Sequence, residues 1–192
     1  MQVKCVLVGD SKVGKTSLLY VYTHLSFPTE YLPRFMDTFT INAVINNQII
    51  HLTLWDTVGE EQYDALRPLA YPQTDVFLCV FSVVHPSSYN HILTKWVPEL
   101  SHLFLPAPMV LVGTQVDLRD DLEVVAQKGN APITYEKGLE LSTTINAVKY
   151  LECSSLHNQG VKEVFEEAAK AFLGTLPEKP QVHKKAGGCV LL

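Results

Sequence analysis

Gly9-Asp10-Ser11-Lys12-Val13-Gly14-Lys15-Thr16 has the spacing G-x-x-x-x-G-K-[ST], and its neighbours decide whether that spacing is more than chance. A buried strand should run into such a loop and a helix out of it. Val3 to Val8 is a short, mostly apolar, β-branched run, and after Lys15 the apolar residues Leu18, Leu19, Tyr22 and Leu25 recur at helical spacing. The loop therefore lies where a strand end meets a helix N-terminus. Backbone N–H groups are unpaired there and the helix dipole favours an anion, so phosphates are held with few side chains. Gly9 and Gly14 permit close backbone approach, Lys15 is placed to bridge the β- and γ-phosphates, and Thr16 offers a hydroxyl to Mg²⁺. A Gly-rich turn that binds nothing is the plain alternative, and the flanking strand and helix argue against it.

A chain of 192 residues is long enough for one domain to bury its own core without metal or disulfide support. The net charge of −5 argues against a nucleic-acid binder, which would show a basic face. Cys5, Cys79 and Cys153 lie in apolar runs with no C-x-x-C spacing and read as reduced core residues of a cytosolic protein. The longest apolar stretch, Val76 to Val84, is too short to span a bilayer, and the N-terminus has no basic-then-apolar signal pattern.

Ser26 to Asp37 carries Pro28 and Pro33 without a sustained period and reads as a loop long enough to be functional. Phe39 to Ile45 and Ile49 to Trp55 read as strands joined by Asn46-Asn47, whose tolerance of positive φ predicts an antiparallel hairpin. The second ends in Asp56-Thr57-Val58-Gly59, a D-x-x-G sequence where a doubly wound sheet places ligand contacts. Val76 to Ser82 is a buried strand, followed by a helix from near His85 through Trp96. Met109 to Gly113 is a strand leading to Thr114-Gln115-Val116-Asp117. A charged segment from Leu118 to Ala131 precedes a helix from about Tyr135 to Ile145. Tyr150 to Cys153 is a short strand. Val161 to Leu173 is an amphipathic helix with Val161, Val164, Phe165, Ala168 and Phe172 inward. This alternation predicts an α/β fold: a six-stranded, mainly parallel sheet with one antiparallel strand and helices on both faces.

GDSKVGKT, DTVGE, TQVD and ECSSL follow in that order, each at an expected strand end, and together resemble the small Ras-like GTPases with their phosphate-loop fold. LWDTVGEEQYDALRPLAYPQTDVFL, VGTQVDLRDD and VKYLECSSL are closer still to the Rho family. TQVD and the terminal Cys189-Val190-Leu191-Leu192 look most like its cell-division-control branch. The match divides the chain into a GTPase domain, 1–174, and a flexible tail, 175–192. It implies GTP or GDP and Mg²⁺ as cofactors. Gly9, Asp10, Ser11, Lys12, Val13, Gly14, Lys15, Thr16, Ser17, Asp56 and Gly59 would surround the phosphates, with Thr16 on the metal and Asp56 reaching it through water. Asp117 would accept two hydrogen bonds from guanine, a pattern adenine does not supply, and mispairing would leave its carboxylate unsatisfied. Thr114 and Gln115 would support the base, Ser154 and Ser155 would lie beside it with a Ser155 N–H on the guanine oxygen, and Phe27 would pack on it. On its own Asp117 would read equally well as a helix N-cap. The segment from Leu118 to Ala131 corresponds to an extra helix that marks Rho proteins, about three residues shorter here.

Three positions that carry hydrolysis and switching in that family are changed. The effector loop Tyr31-Leu32-Pro33-Arg34-Phe35-Met36-Asp37 has Arg34 where the family has a metal-ligating threonine, and a guanidinium has only donors. Arg34 would either reach the γ-phosphate directly or abolish the ordered active loop. Glu60 stands in place of the glutamine that orients the attacking water, and an ionised glutamate only accepts while adding negative charge beside a polyanion. Ser11 replaces a glycine whose small size admits an activator's arginine finger, worth on the order of 10³ to 10⁵ in rate. Val58 adds bulk where the family has alanine. Each change alone is compatible with tolerated drift. Together, with the guanine contacts intact, they predict nucleotide binding with a slowed cycle.

The tail is short on apolar residues and contains Pro177, Pro180, Gly187 and Gly188, as a disordered tether would. Cys189 opens a C-a-a-X box whose terminal Leu192 favours geranylgeranyl. One lipid with only Lys184, Lys185 and His183 beside it predicts weak, reversible attachment, on endomembranes more than the plasma membrane. The expected partners are effectors, an exchange factor, a prenyl-binding carrier and the membrane, for a monomer in the cytoplasm and on the cytoplasmic face of membranes. The expected activity is slow GTP hydrolysis serving actin organisation, polarity or membrane traffic. A membrane-tethered scaffold that never turns nucleotide over is the second reading. A nucleotide kinase would need lid arginines and a second substrate site that the chain does not show.

Overall fold

The computed structural model describes residues 1–29, 37–102, 107–128 and 131–175. β1 (Gln2–Val8) is central, paired in parallel with β3 (Gln48–Asp56) on one side and β4 (Val76–Ser82) on the other. β2 (Thr38–Ile45) closes one edge as the antiparallel partner of β3, and β5 (Met109–Thr114) and β6 (Lys149–Glu152) extend the other in parallel, giving the order β2-β3-β1-β4-β5-β6. The chain leaves β1 toward one side of the sheet and later fills the other. The crevice at the C-terminal end of β1 is thus the topological switch point at which such sheets bind ligands.

Residue types follow strand position. β4, in the middle, is buried along all 7 residues, as a parallel strand covered on both faces must be. Successive β1 side chains serve opposite faces: Val3, Cys5 and Leu7 join the core under α1 (Lys15–His24) and α6 (Val161–Thr175). Val6 and Val8 join the second core, with Ile92 and Trp96 and with Leu141 of α5 (Tyr135–Thr144). Asn46 and Asn47 turn the β2–β3 hairpin at φ 51° and 60°, the left-handed pair expected of that dipeptide. Cys5, Cys79 and Cys153 are buried free thiols, as anticipated.

Two helix expectations need correction. α1 ends at His24, and Leu25 is its left-handed cap, 78 % exposed, so the apolar period there overran the helix. The helix starting at Pro86 does not stop at Trp96. It runs as α2 (Pro86–His91), a π-helical turn (Ile92–Trp96) and α3 (Val97–His102). Short 3₁₀ turns at Glu61–Tyr63, Arg67–Ala70 and Val116–Leu118 were not anticipated. α4 (Leu122–Lys128) lies in the charged segment before α5, and Leu122 is 83 % exposed, as on a solvated helix. Phe172 is partly buried against the first core.

Candidate nucleotide site

The loop of residues 9–16 leaves β1 and ends in the first turn of α1, where Lys15 and Thr16 stand and Ser17 is half-buried. Its path requires glycine twice. A Cβ on Gly9 would lie 2.1 Å from the Val80 carbonyl oxygen, and Gly14, the N-cap of α1, has φ 94°. Lys12, at φ 64°, turns the tip.

Lys15 is only 6 % exposed, and its ammonium donates to the Gly9 and Asp10 carbonyls at 2.7 Å each. Burial lowers its pKa to about 8, against the opposing pull of Asp56, Glu60 and Asp10. An ammonium has three N–H donors, so one remains for a phosphate oxygen.

Asp56 ends β3 and faces the same loop. Its Oδ2 accepts the Thr16 hydroxyl at 2.5 Å, while its buried Oδ1 has no hydrogen-bond partner among the described residues. Burial raises its pKa to about 6, more than Thr16 and Lys15 lower it. Paired oxygen donors, one a buried carboxylate with an orphaned oxygen, suit a hard divalent cation such as Mg²⁺. Thr57 donates to the Leu7 carbonyl and so holds the start of D-x-x-G on β1. Gly59 is pressed on the phosphate loop: a Cβ there would lie 2.4 Å from the Gly9 oxygen and the Ser11 nitrogen.

Beyond it, the Ser11 hydroxyl donates to Glu60 Oε1 at 2.7 Å. The two residues singled out as unusual are thus partners across the gap between phosphate loop and D-x-x-G segment. A cleft of about 600 Å³ opens beside them, lined among others by Asp10, Gln62, His91 and Lys95.

On the other side of the loop, Thr114 at the end of β5 is 1 % exposed and donates to the Val13 carbonyl, tying the phosphate loop to the next site segment. Gln115, at φ 60°, accepts from the Ser82 hydroxyl and donates to the Lys12 carbonyl at 3.4 Å. Asp117 follows in the short turn Val116–Leu118. Cys153 N donates to the Gly113 carbonyl, which brings the segment with buried Ser154 and half-buried Ser155 alongside. The Arg119 guanidinium forks onto Glu152 of β6 behind them, with Nη1 to Oε2 at 2.9 Å.

The fold therefore gathers the phosphate loop, Asp56 and Gly59, the Thr114 to Asp117 turn and Ser154-Ser155 around one crevice. Phe27 lies past α1 with 42 % of its surface exposed. Of the effector loop, Asp37 is described and its carbonyl accepts from Asp56 N at 2.9 Å. Tyr31, Leu32, Pro33, Arg34, Phe35 and Met36, like Cys189, lie outside the described residues.

Sequence reading missed the groups behind the site. Arg67 is fully buried, donates Nη1 to the Val58 carbonyl at 3.0 Å and grips Glu99 through Nε and Nη2 at 2.9 and 2.7 Å. Tyr71 adds its hydroxyl to Glu99. The Arg67–Glu99 pair lies 32 positions apart in the chain, so no local pattern announced it. The model of the Ras family matches residues 4–174, and the chain belongs to that family of small GTPases, which bind GTP or GDP together with Mg²⁺.

Proposed function

We propose that the chain is a Rho-type guanine-nucleotide switch, closest to the cell-division-control branch, whose hydrolysis step is slowed. The observation that carries this reading is the Ser11–Glu60 hydrogen bond, set beside a sequence that keeps Thr114, Gln115, Asp117, Ser154 and Ser155 for the base. Asp117 and the Ser155 N–H read the base. Lys15 and the loop N–H groups hold the phosphates, and Thr16 directly and Asp56 through water would hold the metal, which would supply positive charge against the phosphate oxygens. In Ras-like enzymes the residue at the Glu60 position both accepts from water and donates to the transferring group. Glu60 is acceptor-only when ionised, and Ser11 directs it to the rim of the phosphate loop. The Ser11 side chain also fills space that an activator's arginine would enter.

In this proposal the loop from Tyr31 to Asp37 meets effectors, and Arg34, in place of the metal-ligating threonine, sets its response to the γ-phosphate. Cys189 carries geranylgeranyl, giving weak attachment to endomembranes and exchange with a prenyl-binding carrier. An exchange factor reloads the site, and the outputs are actin organisation, polarity or membrane traffic.

The test is single-turnover GTP hydrolysis, with and without an activator of Rho-type relatives. The variants are Glu60→Gln, Ser11→Gly and both together. The expected result is slow wild-type turnover with little stimulation, and a stimulated gain of about 100-fold in the double variant. Each single change should recover only a small part of that, because the two groups touch and obstruct in series. A double variant that binds nucleotide yet stays inert would remove Glu60 and Ser11 as the blocks. A wild-type chain that binds nucleotide and never turns it over would make it a membrane-tethered scaffold.

A further inference from the structure

Asp10 puts a negative side chain into a loop that must accept a polyanion. Its carbonyl turns inward to Lys15, while its carboxylate turns the other way, to the helix after β4. Trp96 Nε1 donates to Oδ1 at 2.8 Å, and His91 Nδ1 lies 2.7 Å from Oδ2. A carboxylate accepts, so the His91 nitrogen carries the proton.

Two residues five apart do not ordinarily share a target on a helix. At 3.6 residues per turn they point about 140° apart. The π-helical turn Ile92–Trp96, closed by i→i+5 bonds, brings His91 and Trp96 onto one face, where both reach Asp10.

Trp96 has a second task. Its indole is fully buried, and the Arg67 guanidinium lies over the ring, 4.5 Å from the centroid. Arg67 is the residue that holds the Val58 carbonyl, one position before Gly59. One indole thus touches, through its N–H, the loop that cradles the phosphates and, through its face, the cation that fixes the D-x-x-G segment. Lys95 approaches the same ring at 5.0 Å and donates to Asp64 at 3.2 Å, further locking the 60s segment to this helix.

We propose that Trp96 and His91, set by the π-helical turn, are positioning residues for nucleotide binding: they hold Asp10 away from the phosphates and, through Arg67, couple the phosphate loop to Val58-Gly59-Glu60. This rests on the guanine-nucleotide reading above and deepens it. Neither residue touches nucleotide. They act by pre-forming the loop, so their loss appears as faster release.

The experiment uses the full chain in excess Mg²⁺ and measures release of a fluorescent GDP analogue and amide hydrogen exchange at residues 9–15 and 58–60. The variants are Trp96→Phe, His91→Leu and His91→Gln. Trp96→Phe keeps an aromatic ring but loses the N–H, and release should quicken about tenfold. His91→Leu should quicken it about threefold, and His91→Gln, which restores an N–H donor, should return to within about twofold of wild type. In Trp96→Phe, exchange should rise at both segments while β6 stays unchanged. Release and loop exchange unaltered in Trp96→Phe and His91→Leu, with only a lower melting temperature, would reduce the clamp to ordinary packing and overturn the proposal. If the wild-type chain bound no guanine nucleotide, the functional reading would fail, and the exchange data on the same variants would still decide for or against the clamp.

Discussion

Thr114, Gln115 and Ser154 on one side of the phosphate loop, and Lys15 and Asp56 on the other, are all polar and largely withdrawn from water, but their accounts are closed to different degrees. On the side proposed for guanine the polar groups already have partners: Thr114 bonds the Val13 and Phe81 carbonyls, Gln115 bonds Ser82 and Lys12, and the Ser154 hydroxyl accepts from His157 N. On the phosphate side burial works against the charges. Lys15 is pushed down to about 8 and Asp56 up to about 6, with one Asp56 oxygen orphaned among the described residues. The first region is complete and supplies shape. In the second, burial opposes both charges, and a phosphate beside Lys15 or a cation beside Asp56 would offset that cost.

The comparison breaks most visibly at Asp117. If the guanine side is a finished frame whose only side-chain reader is Asp117, Asp117→Ala removes that reader and leaves the frame. Affinity for GDP should fall by about 10³-fold or more, because buried base donors lose their acceptor. The melting temperature without nucleotide should move little. Equilibrium binding and thermal melts on the same samples decide it, and a large stability loss with modest affinity loss would mean that Asp117 serves the turn instead.

The phosphate side should answer to pH. Asp56 has a folded-state pKa of about 6 against an ordinary 3.8. In metal-free protein its contribution to stability is therefore full below about 3.8 and lost as pH rises through about 6, roughly 3 kcal/mol in all. Cation binding has the opposite sign, since only the carboxylate serves the metal. Mg²⁺-dependent GDP affinity should fall up to about tenfold per unit as pH drops below 6, beyond the decline left in Asp56→Asn, which keeps only the nucleotide's own titration. Equal slopes in the two proteins would show that Asp56 does not face the metal.

The same contrast explains what the sequence disclosed. Elements with a local cause were legible: the Asn46-Asn47 hairpin, the apolar run of β4, the phosphate loop between strand and helix. The π-helical turn was not, because no short pattern distinguishes Ile92–Trp96 from α-helix. What it aligns is a pair of contacts to Asp10, more than eighty residues away in the chain. Ser11 and Glu60 were each legible as departures, but their bond spans 49 positions and needed the fold to reveal it. Arg67 and Glu99 drew no reading of their own from the sequence. Only a buried network joining the 60s segment to α3 gives them meaning, and sequence spacing carries no trace of it.

The smallest expected effect is also the most direct reading of the unfinished side. At pH 8 a Lys15 with a pKa of about 8 is half protonated, and a bound polyphosphate makes the ammonium form strongly preferred. Binding GDP should then take up about half a proton at pH 8 and about a tenth at pH 7, where the group is already mostly charged. Calorimetric titrations in two buffers of different ionisation enthalpy measure that uptake. Lys15→Arg supplies the control, because a guanidinium stays charged through this range and should show no uptake from this position even where its affinity is reduced. Uptake that persists unchanged in the arginine variant would assign the proton elsewhere. Lys15 would then be fully charged before ligand arrives, and the two sides of the loop would be equally finished.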